Sequence, residues 1–465
     1  MLLHERKSIW DGVGTTLGLA IPLMAAQIAV VALGLIDTIT FGQLGMTALA
    51  GGGLGTAIFS LVNIVCVGVL TAVGNEVAYA KGAGDERGVL KSVQSGMIVA
   101  VGLGLVASIM TAYCPPLLTA LGQSPNAVHG AGRYLAFAAA GIIPSLLFTC
   151  LRGLLVGLGK PGPITAITIA AVLLKGLLNI GILKLAGSLP FEEQSDFGLA
   201  WSGIASTVTY SIMAIALWAS CKRKLADKIV LPRLDRATLH GVRETLRLGI
   251  PIGVTYGVEA GLFTGVALIV GRFGDVALAA HQIANQCVYI AFMLSVGLSY
   301  AASVRAGQAA GAGDMLEARR LSRQALLIGL MITSTTALIF LNLGHQLADW
   351  LVGADAEQRN EIIDLAARLM IIAAWFQWID GTQSIAMGAL RGLKDTRSTM
   401  IAATIGYWVI GLPAAWIFSS GAPGLGVIGA WWGLAVGLLS TATMLVLRLE
   451  ISTAPPRRLS QPITA

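Results

Sequence analysis

Apolar stretches of about 20 residues follow one another along nearly the whole chain, broken only by short polar connections, and runs of this length match the hydrocarbon core of a bilayer. The pattern predicts twelve helices, at roughly 15–40, 52–76, 92–112, 131–152, 163–186, 199–220, 246–271, 278–303, 322–343, 366–390, 399–419 and 425–448. Length alone would suggest several soluble domains, but stretches so closely spaced argue for one continuous bundle. The fold class expected is therefore an all-α integral membrane protein.

The longest polar connection, about 221–245, is rich in Lys and Arg and divides the chain into halves. Those halves repeat. A shift of 229 residues brings LGLAIP (17–22) onto LRLGIP (246–251), so that Pro22 falls on Pro251. Gly42, Gly45, Ala48, Leu49 and Ala50 then fall on Gly271, Gly274, Ala277, Leu278 and Ala279, and GAGD at 82–85 falls on GAGD at 311–314. A second echo pairs LRGL at 151–154 with LRGL at 390–393, at a slightly different offset. Six helices per repeat, an even number, make both halves run the same way through the membrane. Two six-helix bundles related by a pseudo-two-fold axis along the membrane normal, with a central cleft, are expected. The organisation expected is a first lobe at 1–220, a basic cytoplasmic linker at 221–245, a second lobe at 246–449 and a cytoplasmic tail at 450–465.

Composition agrees with a lipid solvent: 55% of residues are hydrophobic and 12% charged. Gly supplies 57 residues, as suits membrane helices that pack through small side chains. The net charge of +7 could suggest nucleic acid, but its distribution points elsewhere. With the N-terminus inside, 25 of 31 basic residues fall on the cytoplasmic side, near both termini and near Lys81, Arg152, Lys222, Arg319 and Arg391. Five fall opposite (Arg133, Lys184, Arg272, Arg359, Arg368), and Lys175 lies within a helix. The positive-inside rule then puts both termini in the cytoplasm. MLLHERKSIWDG shows no cleavable signal pattern. Five widely spaced cysteines without C-x-x-C read as small apolar packers.

An ionised side chain in the bilayer core is costly and normally faces a cavity or a partner. Only Asp37, Glu259 and Asp380 lie well inside predicted spans, with Glu76 near a cytoplasmic end and Lys175 the one deep base. Gly253, Gly257, Gly261 and Gly265 form one stripe, expected to pack closely against a neighbour. Glu259 points roughly 200° away from that stripe, with Thr255, Tyr256 and Phe263 nearby. Gln377, Asp380, Gln383 and Ser384 share a face at three- and four-residue spacing, and the cavity that Glu259 faces is their expected partner. Burial disfavours the charged form of a carboxylate, which suits such a group to exchange a proton for a cation.

In the repeat, Glu259 falls on Val30 and Asp380 on Gly141, so the halves share a skeleton but not their acids. Asp37 stands toward the outer end of its helix, with Asn179 and Thr207 its nearest polar candidates. Lys175 could pair with Asp37, bind an anionic group or snorkel outward. His281, with Asn285 and Tyr289 one and two turns on, reads as a structural hydrogen-bonder. GLGK at 157–160 lacks the remaining Walker A glycine, and H-E-x-x-H and G-x-S-x-G are missing, which leaves an ion gradient as the expected energy source.

From about Leu17 to Leu449 these residues resemble the multidrug and toxic compound extrusion (MATE) transporters, in their NorM-like bacterial branch. The most specific matches are QWIDGTQSIAMGALRGLKDT (377–396), YWVIGLP (407–413) and LAAHQIA (278–284). Pro22, Gln27, Asp37 and the LRG…GKPGP stretch at 151–163 agree as well. The resemblance implies a two-lobed antiporter of the bacterial inner membrane that exports amphipathic, mostly cationic compounds in exchange for H⁺ or Na⁺. No other cofactor, no enzymatic activity, no nucleic-acid partner and a monomer in lipid are expected. Carried over, Glu259 and Asp380 match the second-lobe cation site and would be the ligands if the ion is Na⁺. Asp37, Asn179 and Thr207 match first-lobe polar positions, and Asp37 is expected to join Glu259 and Asp380 as a residue of cation or proton coupling. Tyr256, Tyr289, Gln377, Gln383 and Lys175 are expected to line the polar cavity. Phe376 stands where some relatives have Tyr, and Leu183 where some have a polar residue, which favours H⁺ and argues against a first-lobe cation. The alternative transport reading is a flippase for lipid-linked sugars, which would favour several cavity bases where only Lys175 is plain. An intramembrane enzyme or scaffold is the reading from another class.

Overall fold

The computed structural model describes residues 8–225, 235–353, 358–421 and 424–454, and every regular element among them is helical. Among the described residues twelve helices are long and apolar enough to cross a membrane. They are α1 (Val13–Gln43), α2 (Met46–Gly82), α3 (Glu86–Ala112), α4 (Pro125–Gly157), α5 (Gly162–Ala186) and α6 (Phe191–Leu225), followed by α7 (Arg236–Gly271), α8 (Asp275–Gly311), α9 (Met315–Leu351), α10 (Arg359–Gly392), α11 (Thr396–Ser420) and α12 (Gly426–Ser452). A short helix, Pro115–Ala120, precedes α4.

The helices overrun the apolar windows that predict them. At 37 residues α2 is about 55 Å long, well beyond the hydrocarbon core, because backbone hydrogen bonding continues through polar turns until a cap stops it. The connection expected at 221–245 is shortened accordingly: α6 reaches Leu225 and α7 starts at Arg236, while 226–234 lie outside the described residues. The expected tail begins inside α12, and 455–465 also lie outside.

The repeat is written into the caps. Gly45 and Gly274, 229 residues apart, precede α2 and α8 with φ of 106° and 101°, a region where a Cβ is strained. Asp85 and Asp314 take the start of α3 and α9, each carboxylate accepting from the backbone N–H three residues on, at 2.8 and 2.9 Å.

Each half closes its own apolar core. In the first, Leu70, Leu135, Leu146, Leu154 and Tyr134 are buried together; in the second, Leu262, Met370, Tyr407, Trp431 and Leu438. Between them α1 and α2 lie against α7 and α8, and the contacts obey the same offset. A Cβ on Gly82 would meet the Gln308 carbonyl oxygen at 2.0 Å, and one on Gly311 would meet that of Tyr79 at 2.1 Å. Gly297 backs onto Met24 as Gly68 backs onto Gly253. The repeat partners of Thr16 and Arg305, which are hydrogen bonded, are Thr245 and Glu76, bonded at 3.1 Å. The interface is thus nearly symmetric in shape and opposite in charge at one equivalent position. These approaches all lie in the half of the bundle that holds the start of α1 and α7 and the end of α2 and α8.

Candidate functional site

Asp380 sits in the middle of α10 with 2% of its surface exposed, and Gln377, Gln383 and Ser384 are buried beside it as the helical spacing predicts. Glu259, on α7, is partly buried. Its charge acts on Asp380, on Tyr407 of α11 and on Tyr289 of α8. The cation acting on Glu259 is Arg391. Glu259 is thus the common neighbour: an acid, a guanidinium and two phenols from α7's surroundings on α8, α10 and α11 each lie within reach of its charge.

Local sequence explains how α11 contributes. Between Thr404 and Leu412 the helix widens into a π-helical stretch, Ile405–Gly411, a distortion often found at functional sites. Gly406, Gly411 and, on α12, Gly437 let the two helices approach backbone to backbone there. Tyr407 is fully buried, and the Gln383 amide donates to its hydroxyl. Two buried atoms of the α10 stripe, Gln377 Nε2 and Gln383 Oε1, find no partner in the protein. Buried polar groups are nearly always satisfied, so this stripe has capacity for a ligand or water. Phe376 is buried against Trp431, with ring centroids 5.8 Å apart; the phenol nearest Asp380's stripe comes from Tyr407 instead. Among the described residues no three His, Cys, Asp or Glu side chains gather as a metal cage. The oxygens on offer are two carboxylates and amide and phenol groups.

The glycine stripe on α7 has two neighbours where one was expected. Gly253 and Gly257 face Val65 and Val69 of α2, whereas Gly261 and Gly265 face Trp408 and Leu412 of α11. Four residues advance the helix by about 400°, so such a stripe winds by about 40° per step and turns from one neighbour to the next.

Arg391 is not the loop cation that its position after an apolar run suggests. It lies inside α10, 6% exposed, with its guanidinium over the Tyr256 ring at 5.0 Å and a long hydrogen bond to the Tyr256 hydroxyl at 3.4 Å. Arg152 is likewise inside α4: it donates to Gln27 Oε1 at 3.2 Å and lies over Tyr300 at 5.2 Å. Gln27 and Tyr256 are repeat partners, so the two arginines hold equivalent posts.

In the first lobe, Lys175 Nζ reaches Asp37 Oδ2 at 2.7 Å and donates to Ser206 at 3.1 Å. Asn179 donates to Asp37 Oδ1 at 3.3 Å and to Thr40 at 2.9 Å. All of them are buried. Of the roles open to Lys175, this geometry takes the ion pair. Thr207, expected beside Asp37, is turned away: its hydroxyl caps the Phe137 carbonyl at 2.8 Å, where α4 tightens into a 3₁₀ turn at Ala139–Gly141 and frees backbone acceptors. Ser206, one residue earlier, fills the place. His281 accepts from the Trp431 indole at 3.1 Å, the structural use expected of it. Tyr289 is 42% exposed.

Sequence reasoning missed Arg391, Tyr407, Arg152 and Ser206. The LRGL echo contains both arginines, and GLKD after the second, with Asp395 capping the next helix, marks the helix end one residue beyond Arg391. No comparable signal marks Tyr407 or Ser206, whose roles depend on helix rotation.

The MatE family model matches residues 22–180 and again 251–417, two segments that begin 229 residues apart, the offset of the internal repeat. The chain is 41% identical over 440 residues to a probable multidrug resistance protein NorM of Pseudomonas aeruginosa, covering 94% of this chain and 89% of that one. It is 39% identical over 450 residues to the NorM protein of Pseudomonas syringae pv. tomato, with 96% of each chain covered. Among solved structures, a MOP superfamily transporter from Pyrococcus furiosus superposes with a TM-score of 0.86 at 19% identity, over 95% of this chain and 96% of that one. At that identity the likeness speaks for the fold alone.

Proposed function

The chain belongs to the MatE family, and from that premise we propose that it is a multidrug efflux antiporter of the bacterial inner membrane, exchanging amphipathic cationic compounds for H⁺ or Na⁺. The observation that carries the reading is the placing of Glu259 within reach of Asp380, with Arg391 the cation within reach of Glu259. With both acids ionised the cluster holds two negative charges against one positive. One monovalent cation makes up the difference, and either the coupling ion or the head of a cationic substrate can be that cation. Occupancy by one disfavours the other, since an excess buried charge is costly.

Exchange needs two states with different affinities. The lobe contacts, gathered at the ends where α1 and α7 begin, support a state closed on that side. If the basic residues orient the chain with both termini in the cytoplasm, this is the outward-open state, in which ion uptake releases substrate. Return to the inward-open state then frees the acids for the next substrate molecule. The flippase alternative draws little support, because Lys175 is neutralised by Asp37 and the arginines at 152 and 391, Arg152 half-buried and Arg391 buried, stack on tyrosines.

Ethidium efflux from proteoliposomes tests this directly, with a Na⁺ gradient or a pH gradient imposed separately. One of the two gradients is expected to drive efflux. Efflux that ignores both and depends on ATP sinks the proposal.

A further inference from the structure

The two lobes differ in their charge arithmetic. In the second, Glu259 and Asp380 lie within reach of each other's charge, and one guanidinium, that of Arg391, lies within reach of Glu259. In the first, one carboxylate faces one ammonium, and the pair is closed on itself. Lys175 Nζ covers one Asp37 oxygen at 2.7 Å and Asn179 covers the other at 3.3 Å. A second ammonium hydrogen goes to the Ser206 hydroxyl, so the lysine is held from α6 as well as from α1. The other groups around the pair are neutral: Thr40 on α1, which accepts from Asn179, and the phenols of Tyr134 on α4 and Tyr210 on α6, both within reach of the Asp37 charge.

We propose that Lys175 is a built-in counter-cation that keeps Asp37 out of ion coupling, so that the coupling ion binds in the second lobe alone. The inference rests on the antiport reading above. Its physical basis is electroneutrality in a poor dielectric. A proton or Na⁺ added to the first-lobe pair leaves an uncompensated positive charge among buried groups, whereas the same ion added to the second-lobe cluster removes an uncompensated negative one. The lysine is tethered by its own backbone, so unlike a solvated ion it does not leave with the transport cycle. An acid that elsewhere could take up an ion is here a fixed structural pole, and the first lobe is free to move as a neutral body.

The test counts cations on purified protein in detergent. Protons released on adding tetraphenylphosphonium in weakly buffered solution are measured alongside binding of radioactive sodium. Wild type is expected to bind one cation displaced by tetraphenylphosphonium. Lys175→Met, which leaves Asp37 alone, is expected to gain a second. Asp37→Asn/Lys175→Met, which removes both charges, is expected to return to one and to keep wild-type drug/ion exchange in proteoliposomes. Two cations on wild type overturn the proposal, as does loss of exchange in the double variant while it still binds tetraphenylphosphonium like wild type. Should the double variant not fold, the wild-type count decides alone. Glu259→Gln in the same assays separates the two levels of argument. Full exchange there overturns the antiport reading itself, while loss there together with loss in the double variant overturns only the role given to Lys175.

Discussion

Arg152 of the first lobe lies over the ring of Tyr300 of the second, 5.2 Å from its centroid, and also donates to its hydroxyl at 3.3 Å. Tyr256, which lies within reach of Tyr300, carries Arg391 on its ring, and Arg391 acts in turn on Glu259. Two arginine–tyrosine contacts, Arg152 on Tyr300 and Arg391 on Tyr256, thus lie between the lobe interface and the candidate ion site. A cation–π contact contributes about 0.5–2 kcal/mol, so Arg152→Ala is expected to shift the population away from the closed contact by about two- to thirtyfold. Spin labels at Arg87 and Leu316, exposed at the starts of α3 and α9, report it. A longer-distance component should grow, and an unchanged distance distribution refutes the clasp.

The glycines at the interface make a second prediction. A Cβ on Gly82 or Gly311 lands about 2 Å from a backbone oxygen of the other lobe, an overlap that only a separation of the helices relieves. Gly82→Ala and Gly311→Ala are each expected to destabilise this closed arrangement by about 1–3 kcal/mol. Because they are repeat partners, their effects should be alike, whereas Gly53→Ala, with nothing within 4 Å, should be silent. Thermal unfolding and the same spin-label distances compare the three.

In the second lobe, Asp380→Asn and Glu259→Gln each remove the charge that a cation would neutralise. Both are expected to abolish gradient-driven ethidium efflux while leaving the protein folded, since neutral side chains of the same shape cost less to bury than ions. Efflux assays paired with thermal melts read the two effects apart. Wild-type exchange in both variants contradicts the site.

Breaking the first-lobe pair should behave in the opposite way. Lys175→Met or Asp37→Leu alone leaves an uncompensated buried charge and is expected to cost about 3–5 kcal/mol, whereas the Asp37→Leu/Lys175→Met double is expected to be near neutral. A double-mutant cycle of melting temperatures measures the difference. Two additive single effects would show that the pair contributes nothing as a pair.

Much of this protein is legible in its sequence. Hydropathy over about 20 residues is a local property of the chain, and it located all twelve spans, though not their ends, which belong to caps such as Asp85 and Asp314. The 229-residue echo is legible for the same reason, since it records identical local demands: a positive φ at Gly45 and Gly274, and close contact at Gly82 and Gly311. Deep acids stand out because lipid tolerates few of them, so Glu259, Asp380 and Asp37 needed no structure to be noticed.

What each acid meets is a different matter. Lys175 had three possible fates by sequence, and only the rotation of α5 against α1 selects the one at 2.7 Å from Asp37. Thr207 and Ser206 differ by one position, about 100° of helix, and that turn decides which hydroxyl joins the pair and which caps the Phe137 carbonyl. Arg391 comes within reach of Glu259 because α10 continues past its apolar window, and Tyr407 meets the α10 stripe where α11 widens into a π-helical turn. Sequence by itself determined the spans, the repeat and the presence of buried charge. Only the tertiary structure, through the phase and stagger of packed helices, decided which charge each of them faces.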